Sequence, residues 1–171
     1  MQHVFFIVDC SGSIIADGMQ KVGQINDLIH DIVDNCVSAQ IKDIRVVCFG
    51  NSARIYWEFT KDNFFLDIPP NRFGGRSNLG QAYTLLRDIL NKENIQIEDC
   101  IFILLSDGEA TDNYKLALNN LDSNNSSIRL ALSLGNSSLT TEKHVSMDEY
   151  SFKNGVKDRD SFISKIMDCI K

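Results

Sequence analysis

Short apolar runs alternate with longer helical stretches along this chain, and the alternation limits the folds that it can adopt. The runs are rich in Val, Ile and Phe, which favour β-strands. We predict strands at residues 4–8, 44–49, 53–59, 100–105 and 128–134. Two parallel neighbouring strands need a crossover connection of about a dozen residues or more, usually a helix. Strands that alternate with helices along the chain are therefore expected to pair in parallel. The sequence therefore predicts an α/β protein.

The stretches between these strands carry the period of amphipathic helices. Between the first two strands, apolar residues recur at steps of three and four from Met19 to Cys36. Further helices are predicted at residues 79–91, 114–121 and 160–170, and a short last edge strand at 145–147. Each helix is expected to bury one face against the sheet.

Only residues 50–52 separate the second and third predicted strands. A crossover helix does not fit there, so these two strands are expected to form an antiparallel hairpin at one edge. The 171 residues suit one domain. We therefore predict a single domain, residues 1–171, built on a doubly wound, mostly parallel sheet with one antiparallel edge strand and helices on both faces.

The composition narrows the possible partners. The formal net charge is −6, and the absence of any Lys/Arg run argues against nucleic acid. Neither a signal peptide nor a membrane-spanning run is recognisable, so we expect a cytoplasmic protein with no membrane partner. The five cysteines are scattered and odd in number, and we interpret them, Cys10 included, as reduced, buried apolar side chains. Partners are expected to be proteins or cations.

Asp9, Ser11 and Ser13 directly follow the first predicted strand. In an extended segment alternate residues point to the same side, so three oxygens are expected to face one point. Oxygen-only ligands favour Mg²⁺, Mn²⁺ or Ca²⁺ over zinc or copper. Taken alone, the pattern fits equally a turn with helix-capping hydroxyls.

Two later segments supply further oxygens. Ligands of doubly wound sheets bind beyond the carboxyl ends of the strands, where the winding direction switches. Asp107 follows the fourth predicted strand, so it is expected to meet Asp9 there, with a cation relieving the repulsion of the two carboxylates. Ser77 lies in a Gly-rich loop just before a predicted helix, where an N-cap would stand.

Three motifs resemble those of the von Willebrand factor type A domain, in order and spacing. They are D-C-S-G-S at 9–13, G-G-R-S-N-L at 74–79 and S-D-G-E-A-T-D at 106–112. The resemblance spans essentially the whole chain, and its acidic, stand-alone form is most similar to the bacterial TerY-type proteins of tellurite resistance and stress response. It implies a metal-ion-dependent adhesion site (MIDAS) with the ligands Asp9, Ser11, Ser13, Ser77 and Asp107. Ser77 stands where the family usually has Thr.

The resemblance also implies how such a site works. These residues supply at most five of the roughly six oxygens that a small divalent cation takes. In the family an Asp or Glu of a partner protein fills the open position, so the metal bridges two proteins. Arg76, Glu109 and Asp112 are predicted to line the rim and tune the fit, the alternative for each being a plain solvated charge.

Two other functions compete with this interpretation. A strand-terminal aspartate with Mg²⁺ also begins the site of phosphatase-type hydrolases, in which Asp9 would be the nucleophile. Those sites need a second acid two residues later, and Ser11 stands there. The other alternative is a structural subunit with a degenerate metal site. We predict an interaction module and not an enzyme.

Overall fold

A computed structural model describes residues 2–16, 20–41, 43–60, 67–68, 74–107, 110–134, 149–151 and 156–170. Within these ranges the strands are β1 His3–Asp9, β2 Asp43–Phe49, β3 Ala53–Glu58, β4 Cys100–Ser106, β5 Ile128–Ser133 and β6 Glu149–Ser151. The α-helices are α1 Gly12–Ala16, α2 Gln20–Ser38, α3 Leu79–Glu93, α4 Tyr114–Leu121 and α5 Val156–Cys169, and a 3-10 turn spans Ile97–Asp99.

The six strands form one sheet in the order β3-β2-β1-β4-β5-β6. Only β2 and β3 pair antiparallel, and every other neighbouring pair is parallel. The chain runs outward from β1 to β3 and then crosses to β4 on the other side of β1, which makes β1 and β4 the switch point. The predicted fold class and the antiparallel edge hairpin are confirmed. The strand predicted at 145–147 lies outside the described residues.

The sheet is buried on both faces, as expected for parallel strands covered by helices. Alternate residues of β1 belong to different core clusters. One cluster joins β1 to α2 and α5 through Val4, Phe6, Ile25, Leu28, Phe162 and Ile166. The other joins it to α3 and α4 through Phe5, Ile7, Tyr83, Leu86, Leu118 and Leu121. Helices therefore cover both faces, as predicted.

The helices confirm the predicted amphipathic patterns with small changes at their ends. The helix predicted at 160–170 begins earlier, at Val156, and ends at Cys169. Two turns of helix, α1 and Ile97–Asp99, were not predicted because each is too short to carry a recognisable hydrophobic period. None of the described helices is long and apolar enough to span a membrane.

The five cysteines are free, and all but Cys169 are buried, as the sequence indicated. A hydrogen bond with Cys48 and burial together raise the pKa of the Cys10 thiol well above its ordinary value. Cys10 is 4% exposed and belongs to the core cluster on the α2 side. It packs as an apolar core side chain, and its environment disfavours the reactive thiolate.

Arg45 links strand β2 to the end of helix α3. Arg45 of β2 donates from both terminal nitrogens to Glu93 at the end of α3, at 2.9 and 2.5 Å, and its Nε donates to Asp43 at 2.8 Å. Its guanidinium also lies 5.7 Å from the ring centroid of Phe5. Hydrogen bonds from Arg45 lower the pKa of the Glu93 carboxyl, against a smaller opposing effect of burial.

We predict that Glu93→Gln destabilises the fold at pH 7 by about 1 kcal/mol, the upper end for a pair that solvent partly screens. A carboxyl whose pKa is lowered by folding stabilises the protein above its unfolded pKa, and that contribution is lost as pH falls through the folded pKa. The difference in unfolding free energy between wild type and variant should therefore shrink below about pH 4.5, the ordinary value for Glu. Urea unfolding at pH 7, 5 and 3 measures it, and a difference that does not change with pH would contradict the role of the ion pair.

Candidate metal centre

The two strand-terminal aspartates meet at the switch point. β1 and β4 are paired in parallel with Val8 opposite Leu105, so Asp9 and Asp107 leave the sheet at the same edge. Asp9 is 1% exposed and Asp107 is 5% exposed. Two carboxylates at the ends of neighbouring strands are thus withdrawn from water, which is costly unless hydrogen bonds or a cation compensate.

Asp9 is held by donors from three segments of the chain. Its Oδ1 accepts from the backbone N–H of Ser11 at 2.9 Å. Its Oδ2 accepts from the Ser77 hydroxyl at 3.0 Å and from the Ser106 hydroxyl at 2.8 Å. Burial raises the pKa of the Asp9 carboxyl, and these hydrogen bonds offset the effect in part. These neutral donors therefore fix the orientation of the Asp9 carboxylate but do not balance its negative charge.

The remaining predicted ligands complete one connected network. The hydroxyls of Ser11 and Ser13 lie 3.1 Å apart, and Ser13 Oγ donates to Asp107 Oδ1 at 2.7 Å. With Ser77 on Asp9, the structure brings together all five residues that the motifs indicated. Their role as metal ligands stays a prediction.

The backbone that carries the two serines differs from the one predicted. The expectation of an extended segment with alternating side chains is wrong, because α1 begins at Gly12 and Ile14 N–H donates to the Ser11 carbonyl at 3.2 Å. Asp9 accepts the N–H of Ser11 two residues on, as in turns built around an aspartate. The hydroxyls converge because the chain turns into a helix at this point, not because of strand alternation.

The middle loop is fastened to the turn of the edge hairpin. Asn51 accepts the Arg76 N–H at 3.0 Å through its side chain, and its carbonyl accepts from the Asn78 side-chain amide at 3.1 Å. Gly74 has a φ of +87°, and a Cβ there would lie 2.2 Å from the Asn51 side chain, so only glycine fits. The hairpin turn thus sets the position from which Ser77 reaches Asp9.

Ser77 does not cap the following helix. The N-cap of α3 is Asn78, which makes no side-chain capping bond. The first turn of α3 is instead satisfied by Asp112, whose Oδ1 accepts the Gly80 N–H at 3.0 Å. Of the two roles open to Ser77, a residue of the site or a helix cap, the cap is not adopted, because its hydroxyl donates to Asp9.

The three predicted rim residues have separate outcomes. Asp112 is half-buried and bound to the start of α3, so it is not a freely solvated charge. Arg76 is exposed beside Ser77. Glu109 lies outside the described residues.

Two residues of the site were not predicted from the sequence. Ser106 donates to Asp9, and a hydroxyl just before a strand-terminal aspartate was the available signal. Lys21 of α2 places its Nζ 2.6 Å from Asp107 Oδ2 and 3.3 Å from the Ser13 carbonyl oxygen. No sequence pattern indicates the contact between Lys21 and Asp107, because the two residues are 86 positions apart in the chain.

The chemistry of the donor set fits a hard divalent cation. The network contains two carboxylates and several hydroxyls, all of them oxygens. Among the described residues no group of three or more His, Cys, Asp and Glu side chains is placed to hold a metal, so zinc-type clusters are not found there. The ammonium group of Lys21 on Asp107 is itself a cation at this position, so the site does attract positive charge.

Comparison with known proteins identifies one family. A family model for the von Willebrand factor type A domain matches residues 4–109, a range that contains every residue predicted as a ligand. No curated protein sequence matches the chain.

Solved structures share the fold at low sequence identity. Proximal thread matrix protein 1 (PTMP1) from the mussel byssus, solved with a zinc-occupied MIDAS motif, matches with a TM-score of 0.76 and 17% identity over 98% of this chain and 47% of its own. The conserved hypothetical protein BatB from Bacteroides thetaiotaomicron matches at 0.73 and 14% over 98% of each chain. A von Willebrand factor type A protein from Catenulispora acidiphila matches at 0.69 and 15% over 99% of this chain and 43% of its own. The chain spans less than half the length of PTMP1 and of the Catenulispora protein.

We predict that Ser106→Ala lowers the unfolding free energy of the metal-free protein by about 1–3 kcal/mol, because Asp9 then lacks one of its buried hydrogen bonds. Urea unfolding in the presence of a chelator measures the loss. Ser38→Ala is the matched control, since the exposed Ser38 hydroxyl donates to the Asp34 carbonyl in the last turns of α2, away from the site. Equal losses in the two variants would count against this role for Ser106.

Proposed function

The chain belongs to the von Willebrand factor type A domain family, and we propose that it is a metal-dependent protein-interaction module that binds a carboxylate of its partner through a divalent cation. The observation that carries the proposal is the hydrogen-bond network around two buried carboxylates: Ser77 donates to Asp9, the linked hydroxyls of Ser11 and Ser13 reach Asp107, and the backbone N–H of Ser11 on Asp9 joins the two groups. The fold and family are established, the ion and the partner are inferred from the site, and the proposed cellular role rests on the resemblance to TerY-type proteins.

We assign the ion to the oxygens of Asp9, Ser11, Ser13, Ser77 and Asp107. When bound, the ion would act as a Lewis acid with one coordination position left for a carboxylate of the partner. Its preferred identity is Mg²⁺, with Mn²⁺ or Ca²⁺ as alternatives, because oxygen donors suit hard cations. The zinc in the MIDAS motif of PTMP1 supports a divalent ion at the equivalent place in the fold.

Charge balance favours an acidic group on the partner. Two carboxylates and one divalent ion sum to about zero, so the site by itself no longer repels an anion. The chain as a whole, the two site carboxylates included, has a formal charge of −6, which without the ion would disfavour an acidic partner. The metal is thus the element that makes an Asp or Glu of another protein a suitable ligand. Exposed Arg76, beside Ser77, is suited to favour the same approach.

An interaction role suits this Asp9 better than nucleophilic catalysis. A nucleophilic carboxylate must expose an oxygen to attack a substrate, whereas a metal ligand can share an oxygen that already accepts a hydrogen bond; both oxygens of Asp9 accept hydrogen bonds, and the residue is 1% exposed. Ser11, two residues on, uses its hydroxyl toward Ser13 and offers no carboxyl as general acid. We propose that the chain is not an enzyme and that it acts in a cytoplasmic stress-response or signalling complex of the TerY type.

Divalent ions should stabilise the wild-type protein and leave Asp9→Asn unchanged. Binding to the folded state alone adds about 2.7 kcal/mol at a free concentration one hundred times Kd. The measurement compares melting temperatures in chelator and in millimolar Mg²⁺ or Mn²⁺, with calorimetry for Kd. Asp88→Asn, an exposed carboxylate beside Arg87, is the charge-matched control and should respond as wild type does. A wild type without measurable ion binding would favour the degenerate-site alternative.

A small dicarboxylate should compete for the open position. Mn²⁺ bound with water in that position enhances the relaxation of water protons, and glutarate should reduce the enhancement by displacing the water. Bound Mn²⁺ is followed by electron paramagnetic resonance so that loss of the ion is recognised. The neutral diamide of glutarate is the matched control and should have no effect. Enhancement that stays constant with glutarate while Mn²⁺ remains bound would refute the open position.

A further inference from the structure

We propose that Lys21 is a tethered cation that occupies the metal centre when no divalent ion is bound and must leave Asp107 when one binds. The inference rests on the proposed function, because it assigns the metal to Asp107. It makes the affinity for the ion, and through it the affinity for a partner, depend on a competing side chain of the same chain.

The contacts of Lys21 are directed at the site. Its Nζ lies 2.6 Å from Asp107 Oδ2, and the other oxygen of that carboxylate accepts from Ser13 Oγ at 2.7 Å. The same ammonium group lies 3.3 Å from the Ser13 carbonyl oxygen. The Asp107 side chain is 2% exposed and that of Lys21 is 16% exposed, so the pair is largely withdrawn from solvent. Lys21 therefore neutralises a buried carboxylate.

The position of Lys21 in its helix is otherwise unfavourable. It is the second residue of α2, whose first turn carries no acidic residue. A cation at a helix N-terminus is repelled by the partial positive charge of the helix dipole. The contact with Asp107 compensates for this repulsion, so the placement of a lysine here is explained by the metal centre and not by the helix.

A divalent ion and the Lys21 ammonium cannot share Asp107. Two like-signed cations about 4 Å apart repel each other strongly in a partly buried site. Lysine has a flexible four-carbon stem, and the Lys21 side chain is 16% exposed, so rotation about its own bonds is the route by which its ammonium group would turn toward solvent. Ion binding therefore includes breaking the contact between Lys21 and Asp107, and the apparent affinity is lower by the free energy of that contact.

The test measures Mn²⁺ affinity and metal-free stability together in Lys21→Met and Lys92→Met. Lys92 is exposed in the last turn of α3, at the end remote from the site, and provides the same loss of charge. Lys21→Met should bind Mn²⁺ about tenfold more tightly than wild type and should melt at a lower temperature in chelator. Lys92→Met should resemble wild type in both measurements.

Amine acylation followed by mass spectrometry tests the displacement directly in the wild-type protein. At fixed pH, saturating Mg²⁺ should increase the labelling rate of Lys21 and leave that of Lys92 unchanged. A Lys21→Met variant that loses stability without gaining ion affinity, or Lys21 labelling that Mg²⁺ does not change, would overturn the inference while leaving the metal site standing. If neither wild type nor Lys21→Met binds an ion, both proposals fail. Binding by the variant alone would support competition in its strongest form.

Discussion

The hydrogen bonds of the buried Asp9 carboxylate organise the edge of the sheet at which β1 and β4 end. A carboxylate that is 1% exposed is tolerated only when its oxygens are engaged. Here the donors come from the turn into α1, from the middle loop and from the end of β4. One charged group therefore fixes three segments that are far apart in the sequence. The chain connections between these three segments are too long to hold them together by themselves.

The surrounding fold holds that carboxylate rigidly and leaves its negative charge poorly screened by solvent. β1 is the central partner of β2 and β4, and every residue from Val4 to Asp9 is buried. The apolar faces on either side exclude water, so the charges of Asp9 and Asp107 are poorly screened. Hydrogen bonds orient the carboxylates but leave their net charge unchanged. A cation balances that charge, and Lys21 and a divalent metal are two ways of supplying one.

Much of the fold followed from sequence because its signals are local. The alternation of strands and amphipathic helices predicted the parallel sheet, and the short link at residues 50–52 predicted the antiparallel edge, which the pairing of β2 with β3 confirms. The three motifs indicated the family, which the match over residues 4–109 confirms. The helix α1 was missed because five residues carry no period, and its presence overturned the extended geometry assumed for Ser11 and Ser13.

The sequence by itself determined the longer helices, the five main strands, their order and which oxygens stand at the ends of β1 and β4, because these depend on period and on neighbours along the chain. Only the tertiary structure decided what each side chain contacts. It placed Ser77 on Asp9 and not at a helix cap, gave Asp112 to the start of α3, and brought Ser106 and Lys21 into the site. The physical reason is separation: Ser77 and Ser106 lie 68 and 97 residues from Asp9, and Lys21 lies 86 residues from Asp107. Contacts at such distances are set by the packing of the sheet and its loops, which no local pattern records.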